Sequence, residues 1–353
     1  MKYKKLKDFG KTFLGPIILS YFSDLETKLQ SNNVNYLLFL SREGFFLHKW
    51  FLLLREKGFF QDITSKYLLV SRAALYRLCL MSEETYEIPL RKGFHQRKVL
   101  NFLTSRMGLS ELECAELKYS SMSKDITFSL PDDKEEILEL FSENSEVFRR
   151  IISESYFEYK SYLEELGVLA SEQKIGIVDI GFSGTIQECL ETIFGIDTIG
   201  FYFATVFDEK RKLASQKVKG AFVENGNFGE GVNLIDKSLF IESILTAPYG
   251  QFKCFRNVSG ERMPIHSHET VSQDYFYILQ VIADGIEEYI TNRTVLKALK
   301  KGYFKETINE VTKYYQILTT DEVFMSDEIF DFFEIDDEIN GIGNIKPIEF
   351  LKN

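Results

Sequence analysis

The sequence predicts an α/β protein with a mostly parallel sheet, because units of strand, turn and helix recur along the chain. Short apolar runs at 35–40, 67–70 and 175–180 are each followed by a polar turn and by apolar residues at helical spacing. Around this sheet we expect a helical insertion near 132–167 and a helical C-terminal region. The turns of such units lie at one edge of a parallel sheet, where open α/β sheets bind their ligands.

Charge and cysteine usage restrict the class of protein. The net charge of −11, from 42 basic and 53 acidic residues among 353, argues against a general affinity for nucleic acid. The four cysteines lack C-x-x-C spacing, which favours reduced thiols and a cytoplasmic protein. No run reaches the ~18 apolar residues of a membrane-spanning helix, so we expect no transmembrane segment. The lysines within residues 2–7 leave a peripheral contact at the inner face of the membrane as an alternative to a solvated helix end.

The remaining elements follow from periodicity and from residues that end helices. In chain order they are an amphipathic helix over 1–31 with a kink at Gly15-Pro16, strands at 198–206 and 218–223, a helix over 236–247 that ends at Pro248, a helical stretch over 273–318, and a docked acidic helix over 321–338. We divide the chain into an α/β catalytic domain, residues 1–255, and a helical C-terminal region, residues 256–353, packed on it.

The turn after the run 175–180 has the composition of an anion site. Gly181, Ser183, Gly184 and Thr185 lie between a predicted strand and a predicted amphipathic helix. Backbone N–H groups and the positive end of the helix dipole meet at such a turn, and small side chains let a phosphate approach. The alternative is an ordinary turn in which Ser183 or Thr185 only caps the helix.

Arginines follow the two other strands at equivalent places. The turn residues are Ser41, Arg42, Glu43 and Gly44 after the first run, and Ser71 and Arg72 after the second. If the two strands are neighbours in a parallel sheet, the two guanidinium groups converge and can bind phosphate by paired hydrogen bonds. A local ion pair between Arg42 and Glu43 is the alternative.

Two further carboxylates are candidates for chemistry. Asp179 lies near the end of a buried strand, so its carboxylate must be satisfied at the ligand-binding edge of the sheet. This position suits ribose hydroxyls or a metal ion, for which we expect Mg²⁺. Glu242 lies on the predicted helix 236–247, either as a solvated residue or as part of the site.

Five segments together resemble the glycan phosphoribosyltransferase module of bacterial ribofuranosyltransferases, over about residues 10–255. They are LGP at 14–16, FLSREG at 39–44, LVSR at 69–72, VDIGFSGTIQ at 178–187 and ESILTAP at 242–248. Where the family usually has Arg-Asp-Gly, this chain has Arg42-Glu43-Gly44, which keeps the charge but lengthens the acidic side chain. In many members the module is fused to a haloacid-dehalogenase-type phosphatase. That enzyme needs Asp-x-Asp-x-Thr, and here Gly181 stands where the second Asp belongs.

The resemblance implies a glycosyltransferase of surface polysaccharide synthesis, making capsule or O-antigen. Its donor is phosphoribosyl pyrophosphate, carried with Mg²⁺, and 5-phosphoribose passes to a glycan acceptor, which we expect to be lipid-linked. A separate phosphatase then removes the 5-phosphate. Two other hypotheses stay open: a non-catalytic α/β module that binds a phosphorylated ligand or a partner polysaccharide enzyme, and, least favoured, a haloacid-dehalogenase-type phosphatase.

The resemblance and the residue types together predict a role for each candidate residue. The expected ligands are Gly181, Ser183, Gly184 and Thr185 for the 5-phosphate, Arg42 and Arg72 for the pyrophosphate, and Asp179 for the ribose and Mg²⁺. Ser41, Gly44, Ser71 and Gln187 are expected to bind the donor as well, without an assigned group. Glu242 is the expected general base, because a carboxylate without a basic neighbour is the stronger base. Glu43 would then orient Arg42 or the metal, with an exchange of the two glutamate roles left open.

Overall fold

The computed structural model describes residues 2–120, 122–169, 173–211, 213–302, 335–340 and 342–346, together with residues 310, 313 and 315. The predicted acidic helix at 321–338 lies largely outside these residues, as does the end of the helical stretch predicted over 273–318. None of the helices in the described ranges combines the length and the apolar character that crossing a bilayer requires.

The strands are short and the helices vary widely in length. The strands are β1 (Tyr36–Leu40), β2 (Thr64–Leu68), β3 (Phe94–Lys98), β4 (Thr127–Leu130), β5 (Ile175–Asp179), β6 (Thr198–Val206), β7 (Val218–Gly226), β8 (Phe252–Val258), β9 (Glu261–His266), β10 (Ile335–Asp336) and β11 (Asn344–Ile345). The α-helices are α1 (Lys2–Phe9), α2 (Gly15–Asn32), α3 (Gly44–Glu56), α4 (Arg72–Cys79), α5 (Val99–Asn101), α6 (Glu111–Ala115), α7 (Lys134–Glu143), α8 (Ser145–Glu165), α9 (Thr185–Phe194), α10 (Asn233–Asp236), α11 (Ser238–Ile244), α12 (Val271–Asp274), α13 (Phe276–Ile290) and α14 (Arg293–Lys300). A π-helical turn, Gly10–Leu14, joins α1 to α2.

A parallel sheet of five strands, in the order β2-β1-β5-β6-β7, forms the centre of the structure. This confirms the predicted α/β class with a mostly parallel sheet. Tyr36 pairs with both Thr64 and Ile175, and Ile175 pairs with Thr198, so four strands begin at the same level. Their carboxyl ends, and the turns that follow them, therefore lie at one edge of the sheet.

Helices cover both faces of this sheet. Leu37 and Phe39 of β1 belong to a core shared with α1, α2, α3, α11 and α13. Leu38 and Leu40 belong to a second core shared with α4, α7, α8 and α9. Successive side chains of a strand point to opposite faces, so a sheet covered on both sides needs apolar residues at every position. This is why the strands are continuous apolar runs in the sequence.

The strand order reverses between β1 and β5. From β1 the chain passes through α3 on one face to β2, and from β5 it passes through α9 on the other face to β6. The crossovers from β1 to β2 and from β5 to β6 run in opposite directions across the sheet. If both are right-handed, their helices must lie on opposite faces. A crevice forms outside the carboxyl ends of β1 and β5, which is where ligands of open α/β sheets bind.

Two predicted elements were wrong in detail. Strand β2 begins at Thr64 and ends at Leu68, earlier than the predicted 67–70, because it is an edge strand with Thr64 and Lys66 exposed to solvent. The region after residue 255 does not begin as a helix, because β8 and β9 form an antiparallel hairpin. Most side chains of β9 are exposed, so the sequence lacks the apolar alternation that marks a strand. The helical insertion is present as α7 and α8.

The C-terminal helix α13 packs directly on the N-terminal helix. A methyl group at Gly10 would lie 2.0 Å from the carbonyl oxygen of Ile282, and one at Gly285 would lie 2.0 Å from that of Lys7. Backbones this close exclude any larger side chain at either position. The C-terminal helices therefore share a core with the α/β unit, as predicted, whereas the domain boundary at residue 255 stays a prediction.

Candidate active site

A cavity of about 500 Å³ opens at the crevice between β1 and β5. Its walls also include the turn after β2, parts of α10 and α11, and Asp337 and Asn340 from the C-terminal segment. The predicted site residues that line it are Ser41, Arg42, Glu43, Ser71, Arg72, Asp179, Gly181, Ser183, Gly184, Thr185 and Glu242. The fold therefore brings together residues that are up to about 200 positions apart in the sequence.

The turn after β5 has the geometry expected of an anion site. A methyl group at Gly181 would lie 2.5 Å from the carbonyl oxygen of Ala204, so only glycine fits beside β6. Gly184 has a left-handed conformation with a φ of +71°, and α9 begins at the next residue. Thr185 and Ile186, in the first turn of α9, line the cavity, and the first N–H groups of a helix have no partner within it.

Lys92 adds a positive charge to this turn, and the sequence analysis missed it. Its Nζ lies 2.9 Å from Ser183 Oγ and 2.8 Å from Asp208 Oδ2. An ammonium group beside a helix N-terminus favours a phosphate. Lys92 belongs to no motif and is 91 residues from Ser183, so only the fold reveals its place.

Ser41 and Ser71 fix the two arginine-containing turns by hydrogen bonds to backbone groups. Ser41 Oγ donates to the Val70 carbonyl oxygen at 2.6 Å and accepts the Val70 N–H at 2.9 Å. Ser71 Oγ caps α4 by accepting the Ala74 N–H at 3.0 Å and donates to the Phe252 carbonyl oxygen at 2.5 Å. These hydroxyls therefore fix the turns, while the arginines that follow them line the cavity.

Gln187 and Gly44 lie outside the cavity, contrary to their predicted roles. Gln187 is buried, accepts a hydrogen bond from Tyr202 Oη at 2.9 Å, and donates to the Lys217 carbonyl oxygen at 3.1 Å. Its amide is thus taken up by partners on neighbouring elements, which a pattern of residue types cannot show. A methyl group at Gly44 would lie 2.9 Å from the Phe39 carbonyl carbon, so this glycine serves the packing of α3 on β1.

Both arginines predicted to converge do line the same cavity, because β1 and β2 are neighbours. Arg72 Nη2 lies 3.9 Å from Asp337 Oδ1, and the Arg72 side chain is 38% exposed. The backbone N–H of Arg42 donates to Glu43 Oε2 at 3.1 Å. The contact shown between Arg42 and Glu43 is thus a backbone hydrogen bond that shapes the turn, and Arg42 is one of the residues that line the cavity.

Three carboxylates interact electrostatically across the cavity. Burial, and then the neighbouring charge of Glu43, raise the pKa of Asp179 well above its usual range, although the Ile180 N–H bonded to Asp179 Oδ1 at 2.8 Å opposes this. Burial, and then Glu43, also raise the pKa of Glu242 to about 7, against a hydrogen bond from Ser238 and the charge of Arg72. Glu242 is therefore the carboxylate whose pKa suits proton transfer near neutral pH.

This geometry predicts that Glu242 makes folding stability depend on pH. The pKa of Glu242 is about 7 in the folded protein and 4.5 ordinarily, so between these values the folded protein binds more protons than the unfolded chain. Stability should fall as pH rises through this window, by up to about 3 kcal/mol from this group. Urea unfolding at pH 5 and pH 8 should show that the free energy of unfolding falls less in Glu242→Gln than in the wild type. The variant should be the more stable protein at pH 8. An equal fall in both proteins would contradict the prediction.

A buried arginine connects two walls of the cavity. The five N–H groups of Arg106 donate to the carbonyl oxygens of Pro89, Lys92, Gly93 and Ile339 and to Asn340 Oδ1, at 2.6 to 3.2 Å. Asn340 Nδ2 in turn donates to Asp337 Oδ1 at 2.7 Å. Arg106 thus places both Lys92 and Asp337 at the cavity. The sequence analysis assigned no role to these residues, since local patterns carry no signal for such distant contacts.

Comparison with known proteins leaves the family open. No model of a known protein family matches the chain, and no curated protein matches it either. The resemblance to the glycan phosphoribosyltransferase module therefore depends on the motifs and on their place in the cavity. Among the described residues, no group of three or more His, Cys, Asp or Glu side chains is arranged to hold a metal ion. Mg²⁺ needs fewer protein ligands, because substrate phosphates and water supply the others.

Proposed function

We propose that the protein is a glycan phosphoribosyltransferase, which transfers 5-phosphoribose from phosphoribosyl pyrophosphate to a hydroxyl of a glycan acceptor. One observation carries the proposal. One cavity at the switch point of the sheet is lined by a helix N-terminus with Lys92, by two arginines, and by a glutamate with a pKa of about 7. A donor with phosphate groups at both ends of a ribose needs this combination.

In the proposed complex each end of the donor has its own wall. The 5-phosphate binds the backbone of Gly181–Thr185 and Lys92, and the pyrophosphate binds Arg42 and Arg72. Asp179 accepts hydrogen bonds from the ribose hydroxyls. Mg²⁺ supplies charge neutralisation to the pyrophosphate when bound, with Asp179 as its protein ligand.

The reaction is a substitution at ribose C1. The bond between C1 and the pyrophosphate oxygen breaks, and its electron pair leaves with the pyrophosphate. The acceptor oxygen forms the new bond to C1, and its proton passes to the carboxylate of Glu242. Glu242 lies half-buried at the cavity wall, and raising its pKa by burial strengthens it as a base for this proton.

The two other hypotheses fit the site less well. A non-catalytic module needs the anion site but has no use for two carboxylates, Asp179 and Glu242, whose pKa values are raised by burial and then by the charge of Glu43. A haloacid-dehalogenase-type phosphatase needs an aspartate at position 181, where even a methyl group would meet the Ala204 carbonyl oxygen at 2.5 Å. The local backbone would have to shift to admit an aspartate there.

The test is an assay of the purified protein with phosphoribosyl pyrophosphate, Mg²⁺ and a panel of lipid-linked and synthetic glycan acceptors. We expect acceptor-dependent release of pyrophosphate and a phosphoribosylated glycan, from which an added phosphatase removes the 5-phosphate. Donor binding without turnover on any acceptor would favour the non-catalytic module. Absence of donor binding would reject the proposal. Fractionation of cells would separate a cytoplasmic location from a peripheral one at the inner face of the membrane.

A further inference from the structure

An exposed phenylalanine stands at the mouth of the cavity. Phe228 lines the cavity although 62% of its surface is exposed, and its ring centroid lies 6.4 Å from that of the half-buried Phe182. The two ring planes meet at 63°, an edge-to-face arrangement, and both rings belong to residues that line the cavity. A single exposed apolar side chain is common on protein surfaces, but this one borders the cavity that contains the candidate site residues.

The loop that carries Phe228 is anchored to the helices of the site. Asp236 accepts the N–H groups of Gly229 at 2.7 Å and Gly231 at 2.9 Å, where both glycines have positive φ angles. Asp236 ends α10, and α11 with Glu242 follows after one residue. The position of the Phe228 ring is thus coupled to the position of the proposed base.

The chemistry around the two rings is mixed. Asp236 and Glu242, on the wall beside them, can accept hydrogen bonds, while the rings offer only apolar contact. Asp236 is bonded to the loop and Glu242 to Ser238, but a carboxylate can accept several hydrogen bonds, so both can also accept from hydroxyls of a ligand. A sugar ring matches both, because it has an apolar face of C–H groups and a rim of hydroxyls.

We infer that Phe182 and Phe228 form the acceptor subsite, in which the apolar face of a pyranose ring stacks on Phe228 and its hydroxyls face Asp236 and Glu242. This inference rests on the proposed function, because only a transferase uses the bound sugar as an acceptor. Sugar binding itself can be measured without turnover. It narrows the acceptor class to glycans that end in a ring with a continuous C–H face, and it places the reacting hydroxyl towards Glu242.

The test is saturation-transfer NMR with millimolar methyl β-D-glucopyranoside and methyl β-D-galactopyranoside. We expect transfer to the C–H face of at least one glycoside in the wild type, and an affinity at least about fivefold weaker in Phe228→Ser. Phe228→Tyr should retain binding, because the ring face is kept. Phe157→Ser is the matched control, since Phe157 on α8 is also 62% exposed but does not line the cavity.

In turnover, Phe228→Ser should raise the KM for acceptor while the KM for donor stays unchanged. Equal glycoside binding in wild type, Phe228→Ser and Phe157→Ser would overturn the inference, as would binding of adenosine or uridine to Phe228 in place of the glycosides. Calorimetry with phosphoribosyl pyrophosphate separates the two proposals. If glycoside binding depended on Phe228 but phosphoribosyl pyrophosphate did not bind, the sugar subsite would be supported and the proposed transferase function would be rejected.

Discussion

Replacing Glu242 by Gln is expected to lower kcat by ~10²–10⁴-fold with little change in donor affinity. Gln keeps the size of the side chain but cannot take the proton of the acceptor hydroxyl. The pKa of about 7 arises from burial and from Glu43, with Asp179, Asp337, Arg72 and Tyr315 also within electrostatic reach. The base acts when deprotonated, so wild-type kcat should rise with pH up to about 7 and then level off. In Glu242→Gln this rise of kcat with pH should be absent.

Two further variants make this prediction specific. Glu146→Gln, at an exposed position in the first turn of α8, should leave kcat unchanged. Glu43→Gln should weaken the turn that carries Arg42, because the Arg42 N–H loses its carboxylate partner. If Glu242→Gln turned over normally and Glu43→Gln were inactive, the two glutamates would have to exchange roles.

The second large effect is expected at the two arginines. Arg42→Lys and Arg72→Lys should each weaken donor binding by about 10- to 100-fold, which corresponds to roughly 1.5–3 kcal/mol for a charged hydrogen bond. Lys keeps the positive charge but cannot form the planar pair of hydrogen bonds to a phosphate. Calorimetric titration with phosphoribosyl pyrophosphate in the presence of Mg²⁺ would measure this loss directly.

A matched arginine outside the cavity serves as the control. Arg149→Lys, on the exposed side of α8 with a distant ion pair to Glu83 at 4.0 Å, should bind the donor as the wild type does. Inorganic pyrophosphate alone should show the same ranking of variants, because it contacts only the arginine side of the proposed site. Full donor affinity in both lysine variants would remove Arg42 and Arg72 from the site.

The buried carboxylates of the site are expected to lower the free energy of unfolding. Buried acids that raise the pKa values of one another are unfavourable in the folded protein near neutral pH. Such perturbed carboxylates are found more often at active sites, where function can outweigh the loss of stability. The expected stabilisation of Glu242→Gln at pH 8, together with loss of turnover, would be the combined signature of a functional residue.

Local patterns in the sequence predicted the fold class and pointed to most of the candidate residues that line the cavity. Strands buried on both faces must be apolar at every position, and Gly184 has a positive φ angle in its own turn, so both signals are local, whereas the close approach of Gly181 to Ala204 depends on packing against β6. Edge strand β2 and hairpin strand β9 were misjudged because their side chains face solvent and carry no apolar pattern. The division of roles among the glutamates stays a prediction.

The sequence by itself determined which turns carry glycine, serine, threonine and arginine after a strand, because each turn is a few consecutive residues whose composition can be read along the chain. Only the tertiary structure decided which groups meet. Pairing of β1 with both β2 and β5 brought the arginines and Asp179 to one crevice, and Arg106 brought Lys92 and Asp337 there from opposite parts of the chain. The orientation that buries Gln187 and the charges that raise the pKa of Glu242 depend on distances across the fold, because packing and electrostatic interactions act through space.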